Sequence, residues 1–245
     1  MLRFHLTFFL TLVVFPTRIP AQSVAISPAN TSNTSDGRVL NAPYSAKRRF
    51  TSVEKVADGT TKSSESGGSE ARDSLGRTYS AGERKWTYLD QGKPVLKSEM
   101  LYRIEDPVSN TETRWDSTLK EAKVVHWPKE VSGRTACDAC GAFLDVPGDV
   151  IEKLGVRTIE GFVAEGTRST YTIGDAQGQS SPALTVIHEK WFCPELKIVI
   201  LETNDDPRSG TWRNELVDIV RGEPDVTRYR PPAGYVIRDV QMPAR

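Results

Sequence analysis

Histidine, cysteine and long apolar runs are scarce in this chain. Only three histidines stand in 245 residues, His5, His126 and His188. A hydrolase built on a Ser-His or Cys-His pair needs one of them beside its nucleophile. His5 lies in the leader described below. His126 sits at a strand end before Trp127-Pro128, and His188 sits within a strand, so both read as ordinary strand residues. There is no Gly-x-Ser-x-Gly elbow. A phosphate-binding loop, a dinucleotide fingerprint, an EF-hand loop and His-Glu-x-x-His are also missing. Carboxylates are plentiful but scattered, and Asp205-Asp206 and Glu105-Asp106-Pro107 read as turn residues, where Asp bonds to nearby backbone. The expectation is a non-enzyme that carries no cofactor.

The three cysteines are Cys137, Cys140 and Cys193. All three are disulfide candidates. In an oxidising compartment an odd count leaves one thiol unpaired, metal-bound or paired between chains. Cys137-Asp138-Ala139-Cys140 is followed by Gly141, not by the histidine that haem attachment needs. Its surroundings lack the strand-to-helix context of a redox dithiol. A zinc site there would need Cys193 with His126 or His188, and the spacing gives that set no support. No metal site is assigned.

The one sustained apolar run covers residues 6–15 (LTFFLTLVVF). Ten residues fall short of the ~20 that span a bilayer. Arg3 precedes the run, Pro16 and Pro20 follow it, and Ala21 or Ala25 offers a small residue at a cleavage position. This is the layout of a secretory signal peptide. Residues 1–21 are read as the leader, with a cut at 25 as the alternative. The protein is expected to be periplasmic or secreted, with no transmembrane span after cleavage.

Charge of one sign is absent as well. The chain balances 32 basic against 32 acidic side chains. Removing residues 1–21 takes away Arg3 and Arg18 and leaves 30 against 32. Nucleic acid, which needs a basic footprint, is excluded as a partner. Near-neutrality also speaks against strong electrostatic adsorption of the whole molecule on anionic lipid.

What is present is a succession of short β-branched and aromatic segments separated by turns. Residues 22–45 come first, rich in Ser, Thr, Asn, Ala and Pro, and read as a flexible tether. Residues 46–245 form one domain. Within it Asp58-Gly59 marks a hairpin with both turn residues at positive φ. Further turns fall at Asp90-Gln91-Gly92, at residues 106–110 (DPVSN) and at residues 204–210 (NDDPRSG). The polar run 63–72 (SSESGGSEAR) reads as a loop tip or a weak edge strand with a bulge. Residues 198–201 (IVIL) read as a strand buried on both faces. Residues 149–154 (DVIEKL), stopped by Gly155, read as one short helix. The count is about ten strands with turns spaced as in all-β meanders. The expected fold is mainly β: a single curved antiparallel sheet, a half-barrel meander of about ten strands with one short helix.

The second half orders its features in a recognisable way: Thr158-Ile159-Glu160-Gly161, then Trp191-Phe192-Cys193-Pro194, then Asp206-Pro207-Arg208-Ser209-Gly210. Tyr229, Pro231-Pro232 and Gly234-Tyr235-Val236 close it. This order resembles a family of uncharacterised exported bacterial proteins and, with them, the periplasmic lipoprotein-carrier (LolA/LolB-like) half-barrels. The resemblance implies a curved sheet that holds acyl chains. This chain carries no long amphipathic helix of the kind that closes the sheet in those carriers.

Trp86, Trp115, Trp127, Trp191 and Trp212 all fall on predicted strands and are candidate ligand-lining residues, with core packing as the competing role. The leading functional reading is an exported binding protein holding an apolar or acyl ligand, or a lipoprotein, on a concave sheet face. One alternative is an envelope interaction or sensor module without a small-molecule ligand. The other is a thiol or metal protein that uses Cys137 and Cys140.

Overall fold

The fold was obtained as a computed structural model that describes residues 38–128, 150–173 and 183–241. The expected signal peptide, the expected tether up to residue 37 and the Cys137–Cys140 motif lie outside the described residues. Twelve strands follow in chain order: β1 (Tyr44–Lys55), β2 (Thr61–Arg72), β3 (Thr78–Asp90), β4 (Lys93–Asp106), β5 (Thr111–Asp116), β6 (Glu121–His126), β7 (Val150–Ile159), β8 (Phe162–Ile173), β9 (Leu184–Cys193), β10 (Ile198–Asp206), β11 (Gly210–Arg221) and β12 (Val236–Gln241). A single 3-10 turn, Val226–Tyr229, precedes β12.

All twelve strands join one open curved sheet, in the order β12-β6-β5-β4-β3-β2-β1-β11-β10-β9-β8-β7. Two meanders meet at the β1–β11 pair. Every neighbouring pair is antiparallel except β12 with β6. The expected half-barrel meander is therefore present, with twelve strands in place of about ten.

Tight turns account for much of the order. Gln91-Gly92 (φ 47° and 78°) and Glu160-Gly161 (φ 52° and 77°) close the β3–β4 and β7–β8 hairpins. Two successive positive φ values match the right-handed twist of the flanking strands. The Asp58-Gly59 hairpin forms differently from expectation. Only Gly59 has positive φ. Asp58 instead accepts hydrogen bonds from the Thr60 amide (2.9 Å) and hydroxyl (2.6 Å), which makes a wider loop.

Three further expectations are corrected. Residues 150–154 are not helical. They belong to β7, which pairs with β8 along its length and accommodates Gly155 (φ 82°) as a bulge. Pairing with a long partner strand outweighs one weak helical turn. The run 63–72 is neither a loop tip nor an edge: it lies in β2, paired with β1 over twelve residues. Val39, Ala42 and Tyr44, assigned to the tether from sequence, are buried against the sheet.

The larger core lies in the β7–β11 half. Phe162, Ala164, Trp191, Ile200 and Leu216 pack there with Tyr44. Ile200 and Leu201 are both buried, as the apolar run predicts. The sheet rolls at this end. The Asp218 amide, on β11, donates to Glu160 (3.0 Å) in the β7–β8 turn, and Arg221 pairs with Glu195. The smaller core lies on one face of β3–β6, where Ile104, Trp115 and Ala122 pack with Tyr79, Tyr102, Tyr229 and Tyr235. The chain returning from β11 thus covers that face, and the Tyr235 hydroxyl donates to the Asp116 carbonyl (3.2 Å). The opposite face of β1–β6 carries the candidate site.

Candidate functional site

Strand alternation sets the site's composition. Successive side chains point to opposite faces, and register aligns them in rows across the sheet. One row runs Arg48–Gly68–Gly82–Leu101–Asp116 over β1 to β5. The adjacent row runs Ala46–Glu70–Ser80–Arg103–Arg114–Lys123 over β1 to β6. Small residues occupy the middle strands and larger ones the flanks. The result is a trough of about 760 Å³. Gly68 and Gly82 form its floor, and Phe50, Leu101 and Leu119 supply apolar walls.

The floor is bare for a structural reason. A Cβ on Gly68 would stand 2.3 Å from the Ala81 carbonyl oxygen, where β3 begins to leave β2. Gly82 is less confined, with the nearest atom to an added Cβ at 3.9 Å. Leu119 is brought to the wall by its turn. Asp116 accepts from the Thr118 and Leu119 amides (2.8 and 2.7 Å) and from the Thr118 hydroxyl. The Thr118 hydroxyl bond, with the two amides, outweighs burial and holds the Asp116 carboxyl below its ordinary value.

Arg103, Arg114 and Lys123 stand directly opposite one another, an arrangement that repels. The neighbouring row compensates it. Glu112, buried, receives Arg103 (2.8 Å) and Arg114, and Glu105 receives Arg103 (2.5 Å). At the other end Glu70 accepts from the Tyr44 hydroxyl and from Arg48 Nε, each at 2.7 Å. Arg48 also donates to Asn214 (2.9 Å). Burial, then the Glu70 charge, pushes the Tyr44 hydroxyl well above its usual value, so it stays a donor. The polar face continues into β9–β11, where His188 meets Glu202 (2.8 Å) and lies edge-on to Trp212.

The five tryptophans do not gather at one place. Trp115 stacks on Tyr102 (5.1 Å) in the smaller core and touches the trough from beneath. Trp191 is buried in the larger core, between Gly166 and the Arg157 guanidinium at 3.6 Å. Trp212 stacks with Phe50 (6.1 Å) at the trough's β1 side. Trp86 lies out on the β3–β4 hairpin beneath Arg84 (5.3 Å). Trp127 follows β6, where its amide donates to Asn110. The floor glycines and Leu101 escaped sequence reasoning. The Gly67-Gly68 step opposite Gly82 was the available signal, but it becomes visible only once β2 and β3 are paired.

Cys193 is corrected as a disulfide candidate. It is a free thiol, wholly buried beside Ala164, and its sulfur accepts from the Leu196 amide (3.4 Å). Burial pushes the thiol up, away from the reactive thiolate. Cys137 and Cys140 fall outside the described residues. His126 pairs with Asp239 (2.8 Å), across from β6 to β12. Among the described residues no cluster of three or more His, Cys, Asp or Glu is arranged for a metal. No described helix is long and apolar enough to cross a membrane.

No family model matches the chain. No curated protein matches it either. Solved structures do. The crystal structure of LprF from Mycobacterium bovis is 12% identical with a TM-score of 0.35, over 79% of this chain and 90% of that one. A putative outer membrane lipoprotein-sorting protein domain from Vibrio parahaemolyticus is 10% identical with a TM-score of 0.23, over 77% and 89%. A DUF1329 family protein from Desulfovibrio piger is 9% identical with a TM-score of 0.20, over 77% and 90%. Such distant likeness bears on neither ligand nor role. The fold reading stands on the sheet itself: one open, curved, strand-rich meander of twelve strands among the described residues.

Proposed function

We propose that this chain is an exported, non-catalytic binding protein that holds an apolar group in the trough over Gly68 and Gly82. An acyl chain, free or carried by a lipoprotein, is the ligand class. The observation that carries the reading is the trough: about 760 Å³, open, floored by glycine and walled by Phe50, Leu101 and Leu119. A volume of this size suits a drug-sized or single-chain ligand. The flanking Arg48, Arg103 and Lys123 would sit beside the polar end of that ligand. The leader at residues 1–21 supports a periplasmic or secreted location.

Native mass spectrometry of protein purified from its own envelope tests the reading. A bound mass, or uptake of fatty acids or lipopeptides, is expected, and Gly82→Leu should remove it by filling the floor. A ligand-free mass with no uptake would overturn it. A second reading is an envelope interaction module that adds a partner strand to the sheet edge at β7. It draws support from Val150 and Val156, which are exposed on that edge strand. A pull-down that recovers a specific envelope protein in place of a lipid would favour it.

A further inference from the structure

The sheet ends on one side at β7, whose outer edge pairs with no strand among the described residues. It is 10 residues long, against six for β12 at the opposite end. A long free edge presents a row of backbone donors and acceptors, which native proteins normally blunt or cover. Apolar side chains also stand open along it. Val150 and Val156 are each 66% exposed, and Ile151 is exposed beside them.

The bulge in β7 makes this edge match itself. Val150, Glu152, Arg157 and Ile159 pair with Thr170, Arg168, Ala164 and Phe162 of β8. Those four partners are even steps apart on β8 and lie on one face, and directly paired residues share a face. Glu152 and Arg157 therefore point the same way despite their odd separation, because the register shifts between Lys153 and Gly155. The Arg168–Glu152 ion pair (3.2 Å) and the stacking of Arg157 on Trp191, the partner of Gly166, agree with this. A second β7 laid antiparallel would set Val150 of each copy against Ile159 of the other. Ile151 would meet Thr158, Glu152 would meet Arg157 and Lys153 would meet Val156. Every pair matches in face. The direction of N–H and C=O alternates with the face, so the backbone groups match as well.

The Glu152–Arg157 contact occurs twice in such a pair, once on each side of the two-fold axis. Among the described residues Arg157 forms no ion pair of its own and lies over the Trp191 ring. Partial burial, then the nearby Arg213, holds its guanidinium below the ordinary value, so an added carboxylate is favourable there. We propose that β7 is a self-pairing edge: two copies of this chain join their sheets antiparallel across it, with Glu152 of one copy facing Arg157 of the other. Charge complementarity selects a second copy over an arbitrary strand, because the two charges sit where a two-fold axis requires them. The inference rests on the edge reading given above as the second function, and the trough's ligand plays no part in it.

Sedimentation equilibrium tests it. The unaltered chain is expected to form a dimer as concentration rises, because an interface one strand wide is small. Glu152→Arg or Arg157→Glu alone makes both charge pairs repulsive and should weaken association about tenfold, with circular dichroism checking that the sheet persists. Both changes in one chain should restore it. The two single variants, mixed, should pair with each other more tightly than either pairs with itself, a result that no loss of folding produces. Arg238→Glu, on β12, should leave association unchanged. A monomer at every concentration would overturn the proposal. So would single variants that dimerise undiminished, or a mixture that does not associate. Capture of an envelope protein at β7 by a chain that stays monomeric would overturn self-pairing and keep the edge reading with another partner, whereas a monomer that captures nothing removes both.

Discussion

The two halves of the sheet close one hairpin in the same way and then diverge. β4–β5 turns through Asp106-Pro107-Val108-Ser109-Asn110, and β10–β11 through Asp206-Pro207-Arg208-Ser209-Gly210. In each turn the Asp accepts from the amide two residues on, at 2.8 Å, and the fifth residue takes positive φ. Beyond the turns, β7–β11 packs large apolar side chains into a dry core, whereas β1–β6 places glycine and serine at the centre of one face. The β7–β11 half holds the fold together. The β1–β6 half is held by backbone pairing and by its covered rear face, which leaves its front open.

The difference is broken most directly by truncation. Phe162 is 1% exposed in the larger core, and Phe162→Ala should cost about 3–5 kcal/mol. Leu101, on the trough wall, is 37% exposed, and Leu101→Ala should cost less than about 1 kcal/mol while weakening ligand retention. Urea unfolding midpoints measure both. Equal costs would mean that the trough is packed as tightly as the core.

A pair of glycine substitutions sharpens the same contrast inside the trough. Gly68→Ala drives a methyl toward the Ala81 carbonyl and should destabilise by about 1–3 kcal/mol. Gly82→Ala meets ordinary space on an extended strand and should be neutral or stabilising by up to about 1 kcal/mol. Thermal unfolding of the two proteins distinguishes a floor fixed by close strand approach at Gly68 from one that is merely small at Gly82.

How far the sequence discloses each half follows from the same division. Residues 198–201 and the Asp90-Gln91-Gly92 turn announce themselves, because burial on two faces and positive φ each demand particular residues. The β2 run 63–72 has no apolar alternation to read. Its order comes from hydrogen bonds with β1 over twelve residues, a property of the partner as much as of the run. Residues 150–154 mislead for a related reason: Val150, Ile151 and Leu154 have helical spacing, but pairing with β8 decides the outcome. The tryptophans were legible as a set by type alone. Two went into cores, one beside Phe50, one onto the β3–β4 hairpin and one just past β6, because strand pairing and register decide where each lands, and neither follows from counting aromatics.

The matched turns supply the smallest and most specific test. Asp206 is 7% exposed, and the Arg208 guanidinium donates to both its oxygens (3.1 and 2.8 Å). These bonds, with the Arg208 amide, outweigh burial and hold the carboxyl at about 2. Its unfolded value is near 3.8. A carboxyl lowered by folding contributes stability above the unfolded value and loses it as pH falls through the folded one. The contribution is therefore complete above about pH 4 and fades toward pH 2. Arg208 is half-exposed, so screening reduces it to about 1 kcal/mol. Asp206→Asn should lower stability at pH 7 by about that amount and clearly less at pH 2, as followed by urea unfolding at each pH. In the first half Val108 stands where Arg208 does and offers Asp106 an amide without a charge. Arg208→Val gives the second turn the chemistry of the first, and it should reproduce the direction of Asp206→Asn while leaving the turn closed. If Arg208→Val instead leaves the acid profile unchanged, the amides alone hold Asp206, and the two turns differ in sequence but not in energy.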